Sequence, residues 1–315
     1  MKRSQYLTYR LQYLLLRATV ATVNVLPLPV INGLTSSLAW LVWVCYPFRL
    51  PVVYNNIGTV FPTMSHTDKL ALAKSAYRQF IAAAGLILVI HRKKMAALID
   101  DAHISGLHHL DEALSMNKGV ILTTYHGCWF EAYFAWFSRG DRPTSLIYQQ
   151  QSNPFCDAFF VKQRQRYGSN LKHINSLQKL KVYEDALRHG RILIISLDQN
   201  YTDNGTPVLL FDTPFVCARG AALLHLKTRS PVLSSVYYVK GGRLHIEFEP
   251  VTLPSYRTID DQAIADISNR AIKNYEKTIR AYPDQWFSLF HRLWKKTGYP
   301  TKIKRPLSAI LATKR

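Results

Sequence analysis

The sequence predicts an α/β fold, a mixed but mostly parallel central sheet flanked by helices and preceded by apolar amino-terminal helices. Three observations carry this reading. From Gly119 onward, short β-type runs alternate with helical stretches, which is the pattern of a sheet covered on both faces. Between Arg17 and Arg49 the chain carries no formal charge. Its 315 residues, 48% of them hydrophobic, can bury a full core, as one large domain or two small ones.

The elements follow in order. "ATVATVNVLPLPVINGLTSSLAWLVWVCYPF" is long enough to cross a bilayer, but Pro27 and Pro29 interrupt it, and Asn24, Asn32, Thr35, Ser36 and Ser37 dilute it. One spanning helix, two shorter helices meeting at Pro27-Leu28-Pro29 in the membrane interface, and an ordinary buried hairpin all fit this composition. Arg10 and Arg17 break any short apolar core after Lys2 and Arg3, which argues against a cleaved leader. "SHTDKLALAKSAYRQFIAAAGLILVIHR" reads as a helix, with Ser65 or Thr67 to cap it. "GVILTTY" reads as a buried strand, "CWFEAYFAWFS" as a helix and "TSLIYQ" as a second strand. "NPFCDAFFVKQRQRYG" is a helix with Pro154 in its first turn and Gly168 at its end. "LQKLKVYEDALRHG" is another helix, and "RILIISLDQ" a central strand. The strand "PVLLF", the helix "CARGAALLHLKT" and a strand pair across Lys240-Gly241-Gly242 come next. Two closing helices are expected, over about 260–281 and 284–296.

Charge narrows the partners. The 40 Lys and Arg residues against 20 Asp and Glu give a formal +20, which predicts nucleic acid, an anionic membrane face, or a phosphorylated or acidic substrate. No acidic residue precedes Asp68 and none follows Asp284. The basic ends are rich in Trp, Leu and Tyr, which suits a lipid headgroup layer better than a nucleic-acid groove. Cys45, Cys128, Cys156 and Cys217 lack metal-ligand spacing and read as free thiols in a reducing compartment.

Several chemistries lack their motif. The chain has no G-x-S-x-G, no G-x-x-x-x-G-K-[ST], no G-x-G-x-x-G and no H-E-x-x-H. What stands out is "HGCWFE", where His126 closes an apolar strand and Glu131 follows five residues later. In an open α/β sheet, ligands bind beyond the carboxyl ends of the strands, and His126 would sit at such an end. If the next helix starts near Gly127, Glu131 lies one turn inside it and can fold back to the imidazole. A carboxylate on one ring nitrogen leaves the other as a base. The same spacing also fits a satisfied strand-end histidine and a solvated helix glutamate.

The stretch resembles the H-x4-[DE] motif of lysophospholipid and glycerolipid acyltransferases. It is more similar to the branch that adds secondary lauroyl and myristoyl chains to lipid A. "VVYNNIGTVFPTMSHTDKLAL" resembles that family's R-x-N-L…FP…S…E segment, with Tyr54 where arginine is common. "NPFCDAFFVKQRQRYG", "GRILIISLDQN" and "YPDQWFSLFHRLWKK" are similar to its N-P-x-x-D…R-x-R, acid-ended strand and P-E-Q-W…H-R-R-W-K segments, in the same order. "YQQQSNP" departs from its Tyr-Arg-Pro, and "FDTPFVCARGAAL" carries Asp212 in place of a usual glycine and gains Arg219.

The resemblance implies a glycerol-3-phosphate-acyltransferase-like fold, with membrane-associated helices over 1–50 and the acyltransferase domain over 51–315. It implies His126 as catalytic base and Glu131 as the motif carboxylate. Asp198 closes the later strand and is a second candidate for the carboxylate that orients His126. Arg164 and Arg166 are implied at the site, and with Arg219 are expected to bind substrate. Exposed helix surface is the competing reading for Lys162 and Arg166, and a helix cap is the preferred one for Asn153, Pro154 and Asp157. Acyl carrier protein or acyl-coenzyme A is implied as donor, with a phosphorylated glycolipid as acceptor. The expected location is the cytoplasmic face of a bacterial inner membrane, and no metal or redox cofactor is implied. The competing functions are acylation of a lysophospholipid or other bacterial lipid, an inactive scaffold, and, from charge alone, nucleic-acid binding.

Overall fold

Proline and the loss of charge set the first elements. The computed structural model describes residues 3–89, 93–201, 204–294 and 303–306. Helix α1 (Arg3–Val25) ends just before Pro27, and α2 (Leu28–Cys45) starts there, with Pro29 in its first turn. The two-helix reading of the amino terminus is therefore the observed one. A third helix, α3 (Leu50–Val60), follows and was not foreseen. Helix α4 (His66–Val89) opens on a Ser65–Asp68 capping pair in which the Asp68 backbone N–H donates to Ser65 Oγ at 3.1 Å. Trp43 of α2 is 1% exposed and joins residues of α3 and α4 in one core.

The remaining elements alternate as expected. They are α5 (Lys93–Asp100), β1 (His103–Ser105), α6 (Leu107–Ser115), β2 (Val120–Thr124), α7 (Phe130–Arg139), β3 (Thr144–Tyr148), α8 (Pro154–Gln165) and β4 (Leu171–Asn175). After these come α9 (Leu180–Arg188), β5 (Ile192–Ser196), β6 (Thr206–Leu210), β7 (Thr213–Cys217), α10 (Gly220–Thr228), β8 (Val232–Lys240), β9 (Arg243–Pro250) and α11 (Asp261–Ala281). Among the described residues, seven strands form one sheet in the order β1-β9-β8-β2-β5-β3-β4. All neighbours are parallel except β8 and β9, whose hairpin reverses β9 and β1. The β6–β7 hairpin is a separate two-stranded sheet.

Strand alternation splits the core into two layers. Val120, Leu122, Ile192 and Ile194 point to one face, with Ala132, Tyr133 and Phe137 of α7. Ile121, Leu193 and Ile195 point to the other, with Ala271, Ile272 and Tyr275 of α11. Strands this uniformly buried are the mark of a parallel sheet covered on both sides.

The expected second closing helix is not formed over its described part, and Lys295 and Lys296 lie outside the described residues. Two short 3₁₀ turns, Pro283–Gln285 and Phe287–Phe290, take its place. The reason is competition for backbone groups. Cys128 N–H donates to Gln285 O at 2.7 Å and Phe287 N–H donates to His126 O at 2.9 Å, so this segment pairs with another loop. Its outer side is held by Arg49, which donates to Phe290 O at 2.8 Å, and by Asn56, which donates to Leu289 O at 2.9 Å and to His291 O at 2.8 Å.

Asn56 is fully buried, so removing it takes the donor from the Leu289 and His291 carbonyls together. Asn56→Ala is expected to cost about 2–3 kcal/mol, read as a lower midpoint in urea unfolding with an unchanged slope.

Candidate active site

Strand register places the two central groups. β2 and β5 are adjacent and parallel, with Thr124 opposite Ser196. The ladder continues one step further, through Leu197 N–H to Thr124 O at 3.0 Å. His126 and Asp198 each lie two residues past that last pair, so they emerge side by side at the carboxyl edge of the sheet. His126 Nδ1 is 2.6 Å from Asp198 Oδ1. The His126 backbone N–H donates to both carboxylate oxygens at 3.0 Å. Trp286 supplies a further donor, its indole N–H reaching Oδ2 at 2.8 Å.

Asp198 is fully buried, whereas the His126 side chain is 32% exposed. Burial by itself raises the Asp198 pKa, but His126, the Trp286 indole and the His126 backbone N–H together hold the carboxyl below its ordinary range. An ionised carboxylate only accepts hydrogen bonds, so the ring hydrogen belongs on Nδ1. Nε2 is then left with its lone pair, the arrangement of a general base.

The loop after His126 is clamped on both sides. Gly127 bridges Trp286 as an antiparallel pair, and its N–H donates to Tyr237 Oη at 2.9 Å. Tyr237 in turn donates to Tyr125 O at 3.0 Å. A Cβ at Gly127 would meet the Tyr237 ring at 2.8 Å, which explains glycine here. Gln285 fastens the partner segment to β8, exchanging two hydrogen bonds of 2.8 Å with the Val239 backbone. Close by, His291 has its pKa lowered by burial and then by the charges of His126 and Arg49, with Asp198 opposing.

Glu131 does not reach His126. Helix α7 starts at Phe130, because residues before it are held in the bridge to Trp286. Glu131 instead binds Arg164 with both carboxylate oxygens, at 3.0 Å from Nε and 2.6 Å from a terminal nitrogen. The pair is enclosed, its side chains 4% and 13% exposed, and joins α7 to α8. Arg164 is thus committed to a carboxylate rather than free for phosphate. Asn153 is the expected cap of α8, accepting from Phe155 N–H at 3.1 Å.

The other two arginines lie elsewhere. Arg166 ends α8 and faces the groove between α8 and α1. Arg219 pairs at 2.5 Å with Asp261, the first residue of α11. Twenty-one residues of helix, about 30 Å, separate that point from the Trp286 segment beyond the other end. Arg219, expected to bind substrate, thus sits at the Asp261 end of α11, away from the Trp286 segment. Trp286, Tyr237 and Gln285 were not singled out from the sequence. Only Trp286 and Gln285 carried a signal, within the "YPDQW" similarity.

An imidazole braced by a buried carboxylate at the carboxyl edge of a parallel sheet is an arrangement able to take a proton from a bound hydroxyl. The chain belongs to the bacterial lipid A biosynthesis acyltransferase family, whose family model matches residues 1–296. It is also similar to phosphatidylinositol mannoside acyltransferases of Mycobacterium tuberculosis. The strain H37Rv protein is 21% identical over 202 residues, 64% of this chain, and the strain CDC 1551 protein is 20% identical over the same length. The match spans 62% of those relatives' own length, less than two thirds.

Two outcomes test this geometry. A carboxyl whose pKa is depressed by folding stabilises the fold above the ordinary aspartate value, about 4, and loses that contribution as pH falls through the folded value. The urea-midpoint gap between wild type and Asp198→Asn is expected to narrow below about pH 4, and a gap independent of pH would contradict the assignment. Arg164→Ala leaves Glu131 buried and unpaired and is expected to cost about 3 kcal/mol or more, measured by the same unfolding.

Proposed function

We propose that the protein transfers a fatty acyl chain from an acyl thioester to a hydroxyl of a phosphorylated glycolipid, a lipid A precursor or a close relative. The observation that carries this reading is the His126–Asp198 pair, in which the carboxylate takes Nδ1 and leaves Nε2 as the ring nitrogen that can accept a proton. The acceptor hydroxyl gives its proton to His126 Nε2 while its oxygen attacks the thioester carbonyl carbon. The tetrahedral intermediate then collapses, the C–S bond breaks, and the proton passes from His126 to the departing thiolate. His126 is the catalytic residue in this scheme. Asp198 and Trp286 are positioning residues that fix the ring and its tautomer, and Glu131 with Arg164 stiffens the α7–α8 floor beside it. The activated donor is the thioester itself, so the scheme calls for no metal or redox cofactor.

Charge supports acyl carrier protein over acyl-coenzyme A as donor, because a strongly acidic carrier is steered to a +20 surface. Acylation of a glycolipid by the mycobacterial relatives, as their names state, supports a glycolipid acceptor over a lysophospholipid. The apolar amino terminus supports membrane attachment over residues 1–50, with 51–315 as the acyltransferase domain. In α1, Leu7, Leu11, Leu14 and Leu15 are each 59–60% exposed, and α2 is long and apolar enough to cross a membrane. An apolar row that large on a soluble surface would be unusual. The proposed acyl thioester donor supports the cytoplasmic face of a bacterial inner membrane as the location.

His126→Ala is expected to abolish transfer from acyl carrier protein to a phosphorylated lipid A precursor, assayed by labelled product. Asp198→Asn is expected to lower kcat on the order of 10³-fold, with KM nearly unchanged. Full activity in His126→Ala would overturn the mechanism, and preference for a lysophospholipid would overturn the acceptor.

A further inference from the structure

The open groove between α1 and α8 encloses about 900 Å³ and has no part in the chemistry described above. The charged part of its lining is cationic, with Arg10 and Arg17 from α1 and Lys162 and Arg166 from α8. Its walls include Phe155 and Phe159, and its apolar character comes mainly from such side chains. Among the described residues none of the four cations is ion-paired, although thirteen pairs are formed elsewhere. The sequence reinforces this, since no acidic residue precedes Asp68.

The cations are also arranged. Arg10 Nε donates to Tyr6 Oη at 2.9 Å, and its guanidinium lies 4.5 Å from the centre of the Phe155 ring. Arg17 donates to Tyr13 Oη at 3.1 Å. Aromatic partners hold the arginines in place while leaving their charge uncancelled. Arg10 and Arg17 are seven residues apart, two turns along one face of α1. The exposed leucines 7, 11 and 14 run along an adjacent face, so the cations flank the surface proposed to meet the bilayer.

Helix α8 separates this groove from the reaction site. At about 100° per residue, Phe155, Phe159, Lys162 and Arg166 share one face, and Arg164 lies roughly opposite, turned to Glu131 of α7. A ligand headgroup in the groove is therefore screened from the His126 side by the helix. We propose that the α1–α8 groove is a binding site for an anionic phospholipid, distinct from the acceptor site, with the phosphate among the four cations and an acyl chain along the aromatic wall. An exposed, unpaired cation cluster with an apolar wall matches a phosphate joined to a hydrocarbon chain. An acidic protein would satisfy the charge and leave the wall unused. The proposal goes beyond the acyl-transfer reading and does not depend on the identity of the reaction's acceptor.

Native mass spectrometry of the full chain in detergent tests it, with phosphatidylglycerol and phosphatidylcholine of matched chains as probes. Phosphatidylglycerol is expected to be retained in preference to phosphatidylcholine. Arg17→Gln with Lys162→Gln is expected to weaken that retention on the order of tenfold. Lys172→Gln with Lys179→Gln, which removes the same charge elsewhere, is expected to leave it intact. Ala158→Trp, which fills the groove and keeps all four cations, is expected to lose phosphatidylglycerol as the groove double variant does, each variant being checked for unchanged thermal unfolding. Equal retention of the two lipids, or retention unaffected by the groove variants, would overturn the proposal. Displacement of phosphatidylglycerol by inorganic phosphate alone would overturn it too, by making the groove a site for a free anion.

Discussion

The parallel register between β2 and β5 is the constraint on which the candidate site depends. Because Thr124 faces Ser196, the residues two steps beyond each strand come out as neighbours. A slip of one residue would turn His126 and Asp198 to opposite faces and also invert which apolar side chains reach each core layer. The hydrophobic content of the two strands therefore specifies the chemistry indirectly. Ile121 and Leu193 belong to one layer and Leu122 and Ile194 to the other, and only this pairing satisfies both.

Burying a carboxylate is the costly step in this arrangement, and the structure offsets it with hydrogen bonds drawn from two parts of the chain. The imidazole and the backbone N–H come from His126, and the indole N–H comes from Trp286, distant in sequence. Trp286 is itself 1% exposed, packed beside Phe211 of the β6–β7 turn and held by the Gly127 bridge. A buried charge is tolerated when its acceptor sites are filled. The same donors that make Asp198 tolerable also fix the ring plane of His126, so stability and preorganisation share one set of contacts. Glu131 and Arg164 form a second enclosed pair that is closed upon itself.

Much of the fold was legible because its strands are short, apolar and bounded by turns. β2 and β5 are of this kind, and the longer β8 and β9 are joined by the Gly241-Gly242 turn, with positive φ at both residues, which marks their hairpin plainly. The three-residue β1, the half-polar β4 and the threonine- and proline-marked β7 carry too little pattern to be read alone. The site was legible only as a set of residue types. H-x4-E suggests a local pair, but helix α7 starts three residues later than that pair requires, for a reason that lies 159 residues away, in the Gly127–Trp286 bridge. No local spacing records that contact. The carboxy-terminal segment misled in the same way, since its helical pattern yields to backbone pairing with the His126 loop. Arg219 was drawn toward the site by its novelty in the sequence, whereas its carboxylate partner at Asp261 decides where it lies.

The central claim is that Asp198, and not Glu131, holds His126 in the tautomer with Nε2 unprotonated. Nitrogen-15 NMR of histidine-labelled protein tests it most directly, with the His126 signals assigned by comparison with His126→Gln. In the neutral ring the account predicts a hydrogen on Nδ1 and a free Nε2, a pattern kept in Glu131→Gln and lost in Asp198→Asn. An Nε2-protonated ring in the wild type, or a tautomer that follows Glu131 and ignores Asp198, would contradict it.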